Sequence, residues 1–336
     1  HLLDVMVQAK DYLDELGVHV EACTSEASAA AMLGASINYP ARGAVTWKSI
    51  VGTNVASDAL SNLSSPGVMG GALIIVGEDY GEGASVIQER SYAYAMKSSM
   101  WLLDPRPDLP TIVHIVEKGF ELSEASNTPV MLELRIRACH VTGSFPAKDN
   151  RRGTFSGQNR IAGPPRHEYI RLSHPPSTFM HEKQKVDERL PAAQAFVRTH
   201  KLNEVMPGDI DEVGIVVLGG LYNGVIRALS RLGLADLFGN PRFPVYVLNV
   251  AYPLVPDEVK TFCAGKRAVL VVEEGSPEYV EQAVNAELRR ADIQTRVHGK
   301  DCLPRAGEYT SEPLINGLAA FLAATRPAGI DADEIG

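Results

Sequence analysis

The chain has 336 residues, 45% hydrophobic and 22% charged, with a formal net charge of −9, enough for roughly two ordinary globular domains. That acidic balance argues against general nucleic-acid binding, which needs a basic face to neutralise phosphates, and against docking on an anionic membrane surface. No apolar run approaches the roughly 20 residues of a membrane helix, and the first residues lack the basic start and cleavage site of a signal peptide, so a cytoplasmic location is expected.

Leu2, Leu3, Val5, Met6, Ala9, Leu13 and Leu16 recur at helical spacing, and an amphipathic helix should open the chain. The chain starts at His1 rather than Met, which suggests residues upstream of it. Strands are expected at residues 18–20, 44–47, 72–77 and 130–136, with helices between them. Apolar strands alternating with helices indicate a parallel sheet covered on both faces. This pattern defines a first domain over residues 1–145. Residues 146–210 are punctuated by Pro146, Pro164, Pro165, Pro175, Pro176, Pro191 and Pro207. They read as a surface connector with little regular structure beyond one or two short helices. A second pattern follows, with strands at residues 213–218, 245–248, 268–272 and 294–297. Its helices are expected near 223–232, 257–263, 278–290 and 312–324. The expected class is therefore α/β, with two parallel-sheet domains, the second over residues 211–326. Residues 327–336 read as a linker.

Cys23, Cys139, Cys263 and Cys302 are dispersed, with no C-x-x-C. That spacing matches neither a zinc site, an iron–sulfur cluster nor a secreted disulfide framework, and no metal is expected within this chain. His167, His174 and His181 recur every seven residues, but Pro175 and Pro176 break the helix that would align them. Gly219-Gly220 lacks a phosphate-binding spacing and reads as a tight turn. Gly81-Glu82-Gly83 is acidic and would repel phosphate. No G-x-S-x-G nucleophile elbow occurs.

Two segments point to chemistry. In the first, Thr24-Ser25-Glu26 opens a helix of small residues from Ala27 to Ala35. A carboxylate there is favourable to the helix dipole in any case. In the second, Thr46-Trp47-Lys48-Ser49-Ile50-Val51-Gly52-Thr53-Asn54 again runs from strand through polar loop to helix. The pair resembles the aminopyrimidine-binding domain of thiamine diphosphate enzymes. It is most similar to the larger subunit of indolepyruvate:ferredoxin oxidoreductases. The likeness continues through Gly67-Val68-Met69-Gly70-Gly71, Gln88-Glu89-Arg90-Ser91, Gly219-Gly220-Leu221-Tyr222-Asn223, Val271-Val272-Glu273-Glu274 and His298-Gly299-Lys300-Asp301-Cys302-Leu303-Pro304.

The resemblance implies a pyrimidine-binding domain followed by a transketolase-C-terminal-like domain. It implies that the Glu26 carboxyl hydrogen-bonds the pyrimidine of thiamine diphosphate. Gly52, Asn54, Gln88 and Glu89 would then line the cofactor site, and Lys48 would face the carboxylate of a 2-oxo acid. Val86 and Ile87 depart from the polar run usual in the family and put substrate choice in doubt. No Gly-Asp-Gly occurs (the nearest sequence is Gly208-Asp209-Ile210), so Mg²⁺ and the diphosphate would be held by a domain or second subunit outside this chain. Iron–sulfur clusters would lie elsewhere in a homo- or hetero-oligomer, with ferredoxin as electron acceptor. The small-residue helix is expected near the subunit interface. A non-oxidative thiamine-dependent decarboxylase or carboligase, or a non-catalytic scaffold, is the alternative.

Overall fold

The computed structural model describes residues 2–78, 80, 87–150 and 167–330. Val86, residues 151–166 of the expected connector and residues 331–336 of the expected linker lie outside them. The strands are β1 (Gly43–Lys48), β2 (Ala72–Glu78), β3 (Trp101–Leu103), β4 (Val130–Arg135), β5 (Glu204–Met206), β6 (Val213–Leu218), β7 (Val245–Leu248), β8 (Val250–Tyr252), β9 (Ala268–Val272) and β10 (Arg296–His298). They form two five-stranded sheets, ordered β1-β2-β4-β3-β8 and β10-β9-β6-β7-β5. The expected α/β class holds, with one refinement. Each sheet is parallel except for one antiparallel edge strand, β8 against β3 and β5 against β7.

Strand periodicity explains why both faces of the first sheet are covered. Ile74, Val76, Leu102 and Met131 enter one apolar cluster, while their neighbours Leu73, Leu103, Val130 and Leu132 enter another. Successive side chains of a strand point to opposite faces, so a sheet buried on both sides needs continuous apolar runs. β6 and β9 are buried at every position for the same reason.

Four expectations need correction. Residues 18–20 form no strand. The opening helices, Leu2–Gln8 and Lys10–Glu15, bury no residue, and Leu2, Val5, Val7 and Tyr12 are exposed. The expected strand at 294–297 begins two residues later, as β10. Most of all, the proline-rich connector contains a continuous helical stretch over residues 177–200, made of Ser177–Gln184, a π-helical turn at Lys185–Arg189 and Leu190–His200. Pro191 sits at the start of the last part, where a missing N–H costs least, and the wider π turn just before it changes the bonding pattern. Ala193 and Val197 of this helix are buried against the first sheet's helix Leu109–Ser126.

The two sheets meet at Asn249, the single residue between β7 of one and β8 of the other. Its side chain is buried, donates to the Leu202 carbonyl at 2.8 Å and to Glu204 at 2.9 Å, and accepts from Arg106 N–H at 2.9 Å. A strand from the second half thus completes the first sheet. Among the described residues no helix is long and apolar enough to cross a membrane.

Candidate functional site

β1 ends at Lys48 and β2 at Glu78, and the helices that follow begin at Ser49 and Ser91. Crevices beyond the carboxyl ends of parallel strands are the usual ligand sites of such sheets. Here that space is a cleft of about 450 Å³. Ser49, Asn54, Gln88, Glu89, Arg90 and Ser91 line it from the first sheet, and the loop Ser276 to Tyr279 closes it from the second half. Asn54 Nδ2 donates to Glu89 Oε2 at 3.0 Å, which ties the two first-sheet segments together.

Three buried polar atoms of this wall have no hydrogen-bond partner among the described residues: Ser49 Oγ, Arg90 Nε and Ser91 Oγ. Buried donors and acceptors are almost always satisfied, and leaving one unpaired costs roughly 1–3 kcal/mol. Three of them along one cleft mark a surface shaped for a polar ligand.

Beneath the cleft lies a charged network between the sheets. Arg135, buried at the end of β4, donates to Asp104 from Nη2 at 2.7 Å and from Nε at 3.2 Å, and to Glu274 from Nη1 at 2.5 Å. The Tyr80 ring lies between two guanidinium groups, 4.4 Å from that of Arg135 and 4.5 Å from that of Arg90, and its hydroxyl donates to Glu133 at 3.0 Å. Three carboxyls around this network, those of Glu78, Glu133 and Glu273, hold their protons more tightly than free carboxyls do. Burial, then the charges of Glu78 and Asp104, holds Glu133 well above the ordinary carboxyl range. Burial raises Glu78 as well, against the Ser91 N–H that donates to its carboxylate at 3.1 Å. Glu273 is pushed up to about 7 by burial, although the N–H groups of Val280 and Glu281 favour its anion. Burial draws Lys300 down to about 8, with Glu273 pulling the other way.

The structure brings Asn54, Gln88 and Glu89 together in the cleft, but not Lys48 or Gly52. Lys48 is the half-buried residue before the helix Ser49–Val55. Gly52 is buried on that helix, where an added Cβ would stand 2.4 Å from the Trp47 ring, so packing accounts for this glycine. Glu26 is the first residue of the helix Glu26–Leu33, half-buried, with Ser25 Oγ accepting from Ser28 N–H at 3.2 Å. Its carboxylate makes no hydrogen bond or ion pair among the described residues and is not part of the cleft wall. Its helix packs on the helix Ser49–Val55 that does line the cleft. Ser49, Arg90 and the Ser276–Tyr279 loop were missed by sequence reasoning. The signal within reach was charge at the ends of apolar strands, in Glu78, Glu133-Leu134-Arg135 and Glu273-Glu274.

No family model matches the chain. It is 29% identical over 282 residues to the indolepyruvate oxidoreductase subunit IorA of Methanothermobacter thermautotrophicus, covering 83% of this chain and 43% of that protein. The IorA of Pyrococcus abyssi is 26% identical and matches 94% of this chain and 47% of its own length. The chain spans about half the length of the curated relatives it matches. Among solved structures, a 2-oxoglutarate:ferredoxin oxidoreductase from Magnetococcus marinus superimposes with a TM-score of 0.66 at 17% identity, covering 99% of this chain and 60% of that one. A split-gene transketolase, solved as an inactive β4 tetramer, gives 0.54 at 15% identity over 90% and 83% of the two chains. By sequence the chain is a homologue of the indolepyruvate oxidoreductase subunit IorA, and it shares the two-domain α/β fold of 2-oxo acid:ferredoxin oxidoreductases and transketolase.

Proposed function

We propose that the protein supplies the aminopyrimidine-binding and transketolase-C-like parts of a thiamine diphosphate-dependent 2-oxo acid:ferredoxin oxidoreductase acting on an aryl-type 2-oxo acid such as indolepyruvate. The domains would span residues 1–145 and 211–326. The observation that carries it is a likeness to IorA that runs through both halves of the chain, not through one motif. The net reaction converts the 2-oxo acid, coenzyme A and two oxidised ferredoxins into acyl-CoA, CO₂, two reduced ferredoxins and one proton. Mg²⁺, the diphosphate and the iron–sulfur clusters would be held outside this chain.

The donor set of this chain fits the aminopyrimidine. Glu26 offers a half-buried carboxyl without a protein partner among the described residues, at the start of a helix whose Ala and Ser side chains leave room for a flat ring. When bound, thiamine diphosphate supplies a carbon nucleophile that can also accept the electron pair left by decarboxylation. The role of Glu26 is to share a proton with the ring nitrogen opposite the exocyclic amine, which favours the imine form that serves as base. Away from bulk water such a proton-sharing contact is stronger. Asn54, Gln88 and Glu89, with the unpaired atoms of Ser49, Arg90 and Ser91, would orient polar parts of the substrate or cofactor.

The test is to assemble the full-length protein with its natural partner subunits and measure reduction of a viologen dye. Dye reduction that requires both indolepyruvate and coenzyme A supports the proposal. Decarboxylation to an aldehyde without dye reduction favours the non-oxidative alternative, and no activity with any 2-oxo acid favours a scaffold.

A further inference from the structure

We propose that His298, Asp301 and Cys302 form a binding site for a divalent transition-metal ion, zinc in the first instance. β10 ends at His298 and the chain turns at once, so these three side chains from a five-residue segment return to one point. The Asp301 carboxylate approaches His298 Nδ1 at 2.7 Å, and the Cys302 thiol lies 3.8 Å from the same nitrogen. All three donor atoms fall within 4.8 Å of one another.

The shared nitrogen decides between two chemistries. A nucleophilic Cys–His–Asp relay places the thiol on one imidazole nitrogen and the carboxylate on the other, so that a proton can pass through the ring. Here both converge on Nδ1, an arrangement that relays nothing but surrounds one position. Tetrahedral zinc with ordinary bond lengths sets its nitrogen and sulfur ligands about 3.6 Å apart, close to the distance seen. The carboxylate must move outward by only about half an ångström to exchange its hydrogen bond for a metal bond, and Asp301 is half-exposed and free to do so.

The surroundings favour that exchange. Gly299 N–H donates to Asp301 Oδ1 at 2.8 Å and leaves Oδ2 aimed inward, as outer hydrogen bonds orient metal ligands elsewhere. His298 is buried and its ring meets Phe321 edge-on, so its position is fixed. The neighbouring Lys300 ammonium turns away to the Tyr309 hydroxyl at 2.6 Å and to the Glu273 carbonyl. One thiolate and one carboxylate balance a divalent charge, and the imidazole–thiolate pair selects zinc or cobalt over magnesium or calcium. A fourth ligand, water, would complete the tetrahedron.

The experiment titrates the purified protein with Co²⁺ and follows the thiolate-to-cobalt charge-transfer absorption. One equivalent should produce the band, Zn²⁺ should displace it, and Cys302→Ser should abolish it. Cys139→Ser should leave it intact, because Cys139 lies outside the cluster and is exposed. Absence of the band in the wild-type protein, or its survival in Cys302→Ser, overturns the proposal. Should Cys302→Ser fail to fold, alkylation of the wild-type protein read by mass spectrometry decides instead. Zinc must then slow modification of Cys302 at least about tenfold, and equal rates with and without zinc reject the site.

Discussion

The cleft and the charged network beneath it share a wall but differ in how many of their polar atoms are paired. In the network, Arg135 engages Asp104 and Glu274 directly, Tyr80 bridges to Glu133, and backbone N–H groups cap Glu273. In the cleft, Ser49 Oγ, Arg90 Nε and Ser91 Oγ are buried and unpaired among the described residues. A largely satisfied buried network rigidifies what it joins, here the ends of β4 and β9 across two sheets, although Glu78 Oε2 at the end of β2 is buried without a hydrogen-bond partner among the described residues. Unsatisfied atoms store a cost that a ligand can relieve. The comparison teaches that charge density alone does not locate a binding site, because most polar groups of the more highly charged region already have protein partners.

Four outcomes test this contrast, and the largest lies beside the cleft. In the assembled enzyme Glu26→Gln keeps the shape of the side chain and removes the acid. Hydrogen–deuterium exchange at the thiazolium carbon, followed by NMR, should slow by roughly 10²–10⁴-fold. The melting temperature should hold, since a first-turn carboxylate contributes only about 0.3–1 kcal/mol to a helix. Wild-type exchange in this variant would remove Glu26 from the chemistry.

The network should fail structurally instead. Arg135→Met leaves the Asp104 and Glu274 carboxylates buried without their cation and should destabilise the fold by about 3–5 kcal/mol in denaturant titrations. An unchanged midpoint would mean that the two sheets are held by apolar contacts alone.

Third in size is a pH dependence. Glu273, raised to about 7 in the folded state, binds its proton more tightly there than in the unfolded chain. Stability from this group is therefore fully present below the ordinary carboxyl range and lost as pH rises towards 7, by at most about 3 kcal/mol. Glu78 and Glu133 are shifted in the same direction and steepen the slope. Thermal melts between pH 4.5 and 7.5 should show the decline, and Glu273→Gln should make it shallower. A slope unaltered by that substitution would assign the effect to other groups.

The smallest expected effect distinguishes the regions most sharply. Ser49→Ala and Ser91→Ala delete hydroxyls that bond to nothing among the described residues, so stability should stay within about 0.5 kcal/mol. Each should raise the KM of the assembled enzyme roughly 2–10-fold, the value of one lost hydrogen bond to ligand. A loss of stability with KM unchanged would show the cleft to be structural too.

Much of the fold was legible because its strands are long and buried on both faces. β6, β7 and β9 fall where continuous Val- and Leu-rich runs predict them. β3, β5 and β8 are three-residue pieces, too short for any period to show, and β5 and β8 are edges that exist only through their pairing partners. Residues 18–20 have strand-like side chains but belong to no strand. The long helix through Ser177 to His200 was hidden by prolines that turned out to sit where no N–H is needed.

Of the candidate site, Gln88 and Glu89 could be placed from local pattern, since they follow β2 and precede the helix that begins at Ser91, whereas Asn54 lies near the end of the helix Ser49–Val55. Lys48 and Gly52 belong to the same segment as Asn54 and yet stay out of the cleft, Gly52 because Trp47 folds over it. Chain order determined by itself the alternation of apolar strand and helix, the small-residue helix opened by Glu26, and the family likeness that both carry. Local sequence sets propensity and period, and these act over a few residues. Only the tertiary structure decided that Asn249 would pass a strand from one sheet to the other, that Arg135 would find Glu274 across that seam, and that Arg90 would line one cleft with the Ser276–Tyr279 loop. Those contacts join residues more than a hundred positions apart, and burial confers their strength only once both sheets have closed on them.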